Sequence, residues 1–139
     1  MKHTYLVVFM FMGFFSYSQT INNFEKYPVF PSCEMVEISE LPSCFRENVQ
    51  RSFSTLFNMP EIIEKDNYEG RMDILFEVTK EGSFKVIYAN AIYSELKEEV
   101  NSAFEKFPDI SPATYDGKPV YTQYTMQVLV PSLEWINSK

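Results

Sequence analysis

Few side chains in this chain are equipped for chemistry. Of its 139 residues, two are cysteine and one is histidine. Cys33 and Cys44 could pair with each other, stand as free thiols, or act as a redox couple. Redox motifs favour the closer C-x-x-C spacing, so a structural staple is the favoured reading. The loop it closes would be short, worth about 3 kcal/mol at most on the chain-entropy account. His3 lies near the N-terminus, in a segment that reads as removable. Without it the chain lacks the commonest general base and the usual activator of Ser and Cys nucleophiles. It also lacks the commonest metal ligand. Of the carboxylates, Glu98 and Glu99 are adjacent and would diverge on a helix, a poor acid–base pair. Asp109 and Asp116 sit among turn-forming residues. We expect no catalytic residues, no cofactor and no metal site.

The compartment is written in the first residues. Lys2 and His3 precede an apolar run from Tyr5 to Phe15, and Ser16 and Ser18 supply small residues before Gln19. This pattern marks residues 1–18 as a signal peptide. The run falls short of the roughly 20 residues of a comfortable membrane span, so no stable span is expected. An uncleaved inner-membrane anchor facing the periplasm is the alternative. The expected location is the periplasm, where two cysteines would pair. The formal net charge is −7 at pH 7, and loss of Lys2 makes it more acidic. Such a surface repels nucleic acid and anionic lipid. What remains after cleavage suffices for one domain with one core.

The elements can be read from periodicity. Gln19–Leu41 is aromatic and proline-interrupted, and reads as an ordered arm pinned by the disulfide. Phe45, Val49, Phe53, Leu56 and Phe57 form one stripe, predicting a helix over Ser43–Asn58 with Ser43 as N-cap. Pro60–Lys65 reads as a short helix. Gly70–Thr79 alternates as a strand, with Met72, Ile74, Phe76 and Val78 on one face. Lys80–Ser83 is a hairpin loop containing Gly82. Phe84–Ala91 returns as a strand that is apolar on both faces and should be partly covered on each. Ser94–Phe107 is a second amphipathic helix, with Ser94 as N-cap. A Pro/Gly loop over Asp109–Pro119 leads into a last strand, Val120–Val130, and a short tail over residues 132–139. The expected fold is α+β: a three-stranded antiparallel sheet with helices packed on one face. The last strand should lie beside the first, at the sheet edge.

The order of these elements resembles the TonB C-terminal domain family over Met59–Pro131. Pro60, Gly70, Gly82, Pro112 and the run Asp116-Gly117-Lys118-Pro119 carry the likeness. Phe30–Glu34 and Cys44-Phe45 also resemble an extension seen in Bacteroidetes-type members. The resemblance implies a TonB/TolA C-terminal-like fold over residues 59–131, preceded by an arm and helix over residues 19–58. It also implies recognition of an extended protein or peptide partner by strand addition, with a TonB-dependent outer-membrane receptor as one such partner. The chain departs from the family's energy transducers. It lacks their Pro-rich spacer, its apolar N-terminus looks cleavable, and Met59 stands where Tyr usually precedes the Pro.

The expected partner-binding strand comprises Val120, Tyr121, Thr122, Gln123, Tyr124, Thr125, Met126, Gln127 and Val128. Its edge could instead be covered by the arm or by a second copy, because exposed edges are usually protected. The alternative roles are a membrane-retained energy transducer and a structural assembly protein. The chain's nine tyrosines and thirteen phenylalanines could serve a homodimer interface or an aromatic-rich core; the core is the favoured reading.

Overall fold

The computed structural model describes residues 24–131. The expected signal peptide, residues 1–18, and the tail, residues 132–139, lie outside the described residues. The fold is α+β. Helix α1 spans Leu41–Leu56, α2 Glu61–Lys65 and α3 Ser94–Glu105. Strands β1 (Gly70–Val78), β2 (Phe84–Asn90) and β5 (Thr122–Val130) form a sheet in the order β2-β1-β5. Strands β3 (Ala113–Tyr115) and β4 (Lys118–Val120) form a separate hairpin. Both neighbours of β1 run antiparallel to it.

Each element follows from its pattern. In α1, Leu41, Phe45, Val49 and Phe53 recur every four residues and are buried. In α3, Leu96, Val100, Ala103 and Phe104 fall on one face at helical spacing and are buried. In β1, Met72, Ile74, Phe76 and Val78 alternate inward. The register then places Met126 opposite Ile74 and Tyr124 opposite Phe76 on the same face. Helices and sheet share one core, which extends from Val29 of the arm to Val130.

Aromatic rings fill much of that core. Phe76 lies 5.0 Å from Phe104, 5.7 Å from Tyr124 and 6.1 Å from Phe84, measured between ring centroids. Phe104 stacks on Phe107 at 4.6 Å. The arm joins through Phe30, whose ring sits 5.9 Å from both Phe45 and Phe84.

Several boundaries differ from the sequence reading, each for a physical reason. Helix α1 begins at Leu41 and takes Pro42 into its first turn, so Ser43 is not its cap. The first-turn N–H groups have no intrahelical acceptor, and proline there costs nothing. Ser94 lies inside α3, whose N-cap position is Tyr93. The segment over residues 109–119 is not all loop. Asp116 and Gly117, with φ of 49° and 69°, turn it into the β3–β4 hairpin. Strand β2 is less covered than expected. Leu75 faces Tyr88 and Phe76 faces Val86, so Ile87 is an extra, bulged residue. The bulge breaks the alternation, which made both faces look apolar; Ile87 and Tyr88 are in fact exposed.

The β1–β2 loop docks at Gly82, where φ is 88°. Its carbonyl accepts the Ile110 N–H at 3.0 Å. A Cβ there would meet the Ile110 carbonyl oxygen. Gly117 also has positive φ, but nothing lies near its missing Cβ. Gly82→Ala should therefore cost more than about 2 kcal/mol, while Gly117→Ala should cost about 1 kcal/mol, the left-handed backbone penalty alone. Urea denaturation of the two variants checks this; equal losses would refute the docking role of Gly82.

Candidate functional site

The two outer strands of the sheet are built differently. Strand β2 has a bulge at Ile87 and carries Lys85, features that discourage further pairing. Strand β5 pairs with β1 over nine consecutive positions, Gly70↔Val130 to Val78↔Thr122, without a register shift. Its other edge has no ladder partner among the described residues. Gln123, Thr125 and Gln127 are exposed on the solvent face of β5 and carry no charge.

The described part of the arm, from Phe24 onward, forms no ladder with this edge. It runs instead along the approach to β3. Val29 N–H donates to the Ser111 carbonyl at 2.9 Å, and Ser111 N–H donates back at 3.1 Å. Glu25 N–H donates to the Thr114 carbonyl at 2.8 Å. The arm is fixed at its other end by the disulfide between Cys33 and Cys44, with a Cα–Cα distance of 6.1 Å. Asn48 reinforces that joint. Its Nδ2 donates to the Cys44 carbonyl at 2.9 Å, and its Oδ1 accepts from Ser32 Oγ at 2.9 Å. The arm therefore packs Tyr27 against Phe45 and Tyr124, with centroids 6.2 Å and 6.1 Å away.

Between the β5 edge and α1 lies a cleft of about 310 Å³. Helix α1 contributes Pro42, Arg46 and Gln50, which recur every four residues along one flank, with Phe45 and Val49 behind them. Tyr27 forms one wall and Phe76 reaches it from β1. Tyr124, Thr125, Met126 and Gln127 supply the strand side. The size is at the low end for small-molecule sites, and the shape is that of a shelf beside a strand.

Of the nominated strand residues, Thr122 to Val128 lie on β5. Val120 and Tyr121 do not. Val120 belongs to β4, paired with Ala113, and Tyr121 falls in the break between strands. The hairpin ends the apparent alternation that had joined them to β5. The sequence reading missed Tyr27, Pro42, Arg46 and Gln50. The only signal for the last three was their common flank beside the α1 stripe. The carboxylates do not form a site. Glu98 and Glu99 lie on α3, and Asp109 and Asp116 are exposed on separate loops. Among the described residues no cluster of three His, Cys, Asp or Glu could hold a metal ion. No helix among them is long and apolar enough to cross a membrane.

Two hydroxyls under the β5 edge, Thr122 Oγ1 and Tyr124 Oη, are buried without a well-formed hydrogen bond among the described residues. Burial raises the Tyr124 phenol above its ordinary value of 10.0, a rise partly offset by the neighbouring Thr122.

No family model matches the chain, and no curated protein matches it. Among solved structures it is similar to the solution structure of a TonB C-terminal domain from Helicobacter pylori. The identity is 19%, the TM-score is 0.40, and the match covers 63% of this chain and 96% of that one.

Two outcomes follow from this geometry. Replacing Cys33 and Cys44 together by Ser should lower stability by about 2–3 kcal/mol, and weaken the near-ultraviolet circular dichroism of the tyrosines lining the cleft. An unchanged denaturation midpoint would show that the arm is held without the bond. A phenol whose folded pKa is raised contributes stability below its unfolded pKa and loses it as pH rises through the folded value. Wild type should thus lose stability relative to Tyr124→Phe above about pH 10, with no pH-dependent difference near neutrality. Paired denaturation curves at pH 7 and above pH 10 test it, and parallel behaviour would contradict the burial of that group.

Proposed function

We propose that this chain is an exported TonB C-terminal-like binding domain. It recognises an extended peptide of an outer-membrane transport or envelope partner, adding it as a strand to β5. The observation that carries this reading is the regular backbone edge of β5, unpaired among the described residues, which adjoins a partly apolar cleft while the bulge at Ile87 disrupts the opposite edge.

The physics of such a site divides the labour. The N–H and C=O groups along the outer edge of β5, unpaired among the described residues, offer hydrogen bonds to any extended chain, each worth about 0.5–1.5 kcal/mol net. Side chains pointing into the cleft meet Tyr27, Phe45 and Met126 and would distinguish one peptide from another. Side chains on the other face would run beside the uncharged Gln123, Thr125 and Gln127, with Glu77 and Asp73 of β1 one strand further away. The disulfide between Cys33 and Cys44 is of the kind that persists in oxidising compartments, which supports a periplasmic setting. Under this reading, Tyr27 of the arm and α1 form the cleft's second wall, and residues 59–131 supply the strand.

The test uses extended peptides from the N-terminal segments of outer-membrane receptors. Binding should shift amide resonances along Thr122–Val130. N-methylation of alternate residues along one peptide edge should weaken binding about tenfold or more, while methyl groups on the other edge should have little effect. Equal tolerance at both edges would rule out strand addition.

A further inference from the structure

We infer that the partner segment presents an acidic side chain to Arg46, on the α1 wall of the cleft. This rests on the strand-addition reading and adds a specificity determinant to it.

The chain is acidic, with nineteen Asp and Glu against twelve Lys and Arg. Yet the side chains that line the cleft include a single charged group, and it is a cation, Arg46. Among the described residues the ion pair formed is Arg71 with Asp73, on β1, and Arg46 has no carboxylate within reach. Arg46 is exposed, so its guanidinium fork is available to a ligand.

Its position matters as much as its charge. Pro42 lies one turn before it and Gln50 one turn after it on the same flank of α1, and neither is charged. Phe45, the preceding residue, packs on Tyr124 with ring centroids 4.7 Å apart. That contact sets the Arg46 turn of α1 beside the part of β5 that lines the cleft, Tyr124–Gln127. A strand laid along β5 sends every second side chain to the helix-bearing face. One of those side chains meets Arg46, and its neighbours two residues away meet the uncharged Pro42 on one side and Gln50 on the other. A carboxylate there gains a charge-assisted, potentially bidentate hydrogen bond, and a lysine is repelled. The fitting ligand is an extended segment with one Asp or Glu flanked, at alternate positions, by small uncharged residues. Arg46 thereby acts as a specificity determinant and the β5 backbone as the general acceptor.

The experiment takes the full chain and ten-residue peptides of alternating Thr and Val. Glu, Gln or Lys is placed in turn at each helix-facing position, and binding is followed by amide shifts and anisotropy. At one position Glu should bind about tenfold more tightly than Lys, with Gln between them, and the spread should shrink as salt rises. Arg46→Glu should reverse the order and Arg46→Gln should erase it. Arg51→Glu makes the same change in net charge on α1 away from the cleft, and should leave the order as it was. If peptides shift Thr122–Val130 but Glu, Gln and Lys bind alike at every position, the role of Arg46 is overturned and strand addition stands. If no peptide perturbs Thr122–Val130, the strand-addition reading fails and the role of Arg46 with it. Reversal by Arg51→Glu as well would assign the preference to overall charge and overturn the inference.

Discussion

The packing of Phe76 is the constraint on which the rest of the structure depends. It lies on the middle strand, buried to 2% exposure. Its ring meets one ring from β2, one from α3 and one from β5. Burial of a side chain this size stabilises by about 1.5–3 kcal/mol, but its effect here is mainly geometric. It fixes the height of α3 above the sheet through Phe104 and the tilt of Tyr124 beneath α1. Tyr124 then meets Phe45 and Tyr27. The cleft exists because this relay of rings holds α1 beside the β5 edge without letting it close over the strand.

The arm completes the same relay from outside. Phe30 inserts between Phe45 and Phe84, so one residue of the arm touches both α1 and the sheet side of the core. The disulfide and Asn48 fasten the adjacent turn to α1. The bridges at Val29 and Lys26 fasten the arm to the segment before β4. Tyr27 lies between the two bridges, so its place at the cleft is set by backbone pairing on both sides, and the disulfide anchors the chain beyond Val29.

Much of this fold was legible in the sequence because it follows from local periodicity. The stripes of α1 and α3 and the alternation of β1 report which faces are buried, and burial chose the layers. The errors fall where local pattern and tertiary structure part. Pro42 looked like a boundary, but a first helical turn accepts proline. Ile87 made β2 look doubly buried, because a bulge shifts the phase of alternation. Val120 continued the alternation of β5, yet the turn at Asp116-Gly117 claims it for the hairpin. The cleft itself had no sequence signature. Its walls come from Tyr27, from α1 and from β5, segments far apart in the chain. Only the register of Tyr124 against Phe76, and of Phe45 against Tyr124, brings them together.

A backbone edge alone is a poor discriminator. Every extended peptide carries the same N–H and C=O groups, and exposed edges invite unwanted pairing. Affinity from the ladder is also offset by the entropy of ordering a free peptide, about 1–2 kcal/mol for each residue fixed. A selective site therefore needs side-chain contacts that only some sequences can make. The bulge in β2 makes that edge a poor template, so among the described residues the regular unpaired edge of the three-stranded sheet is that of β5. On the strand-addition proposal, α1 stands beside that edge to read alternate side chains. The sheet would then supply a general attraction, and the helix and arm beside it would convert that attraction into choice.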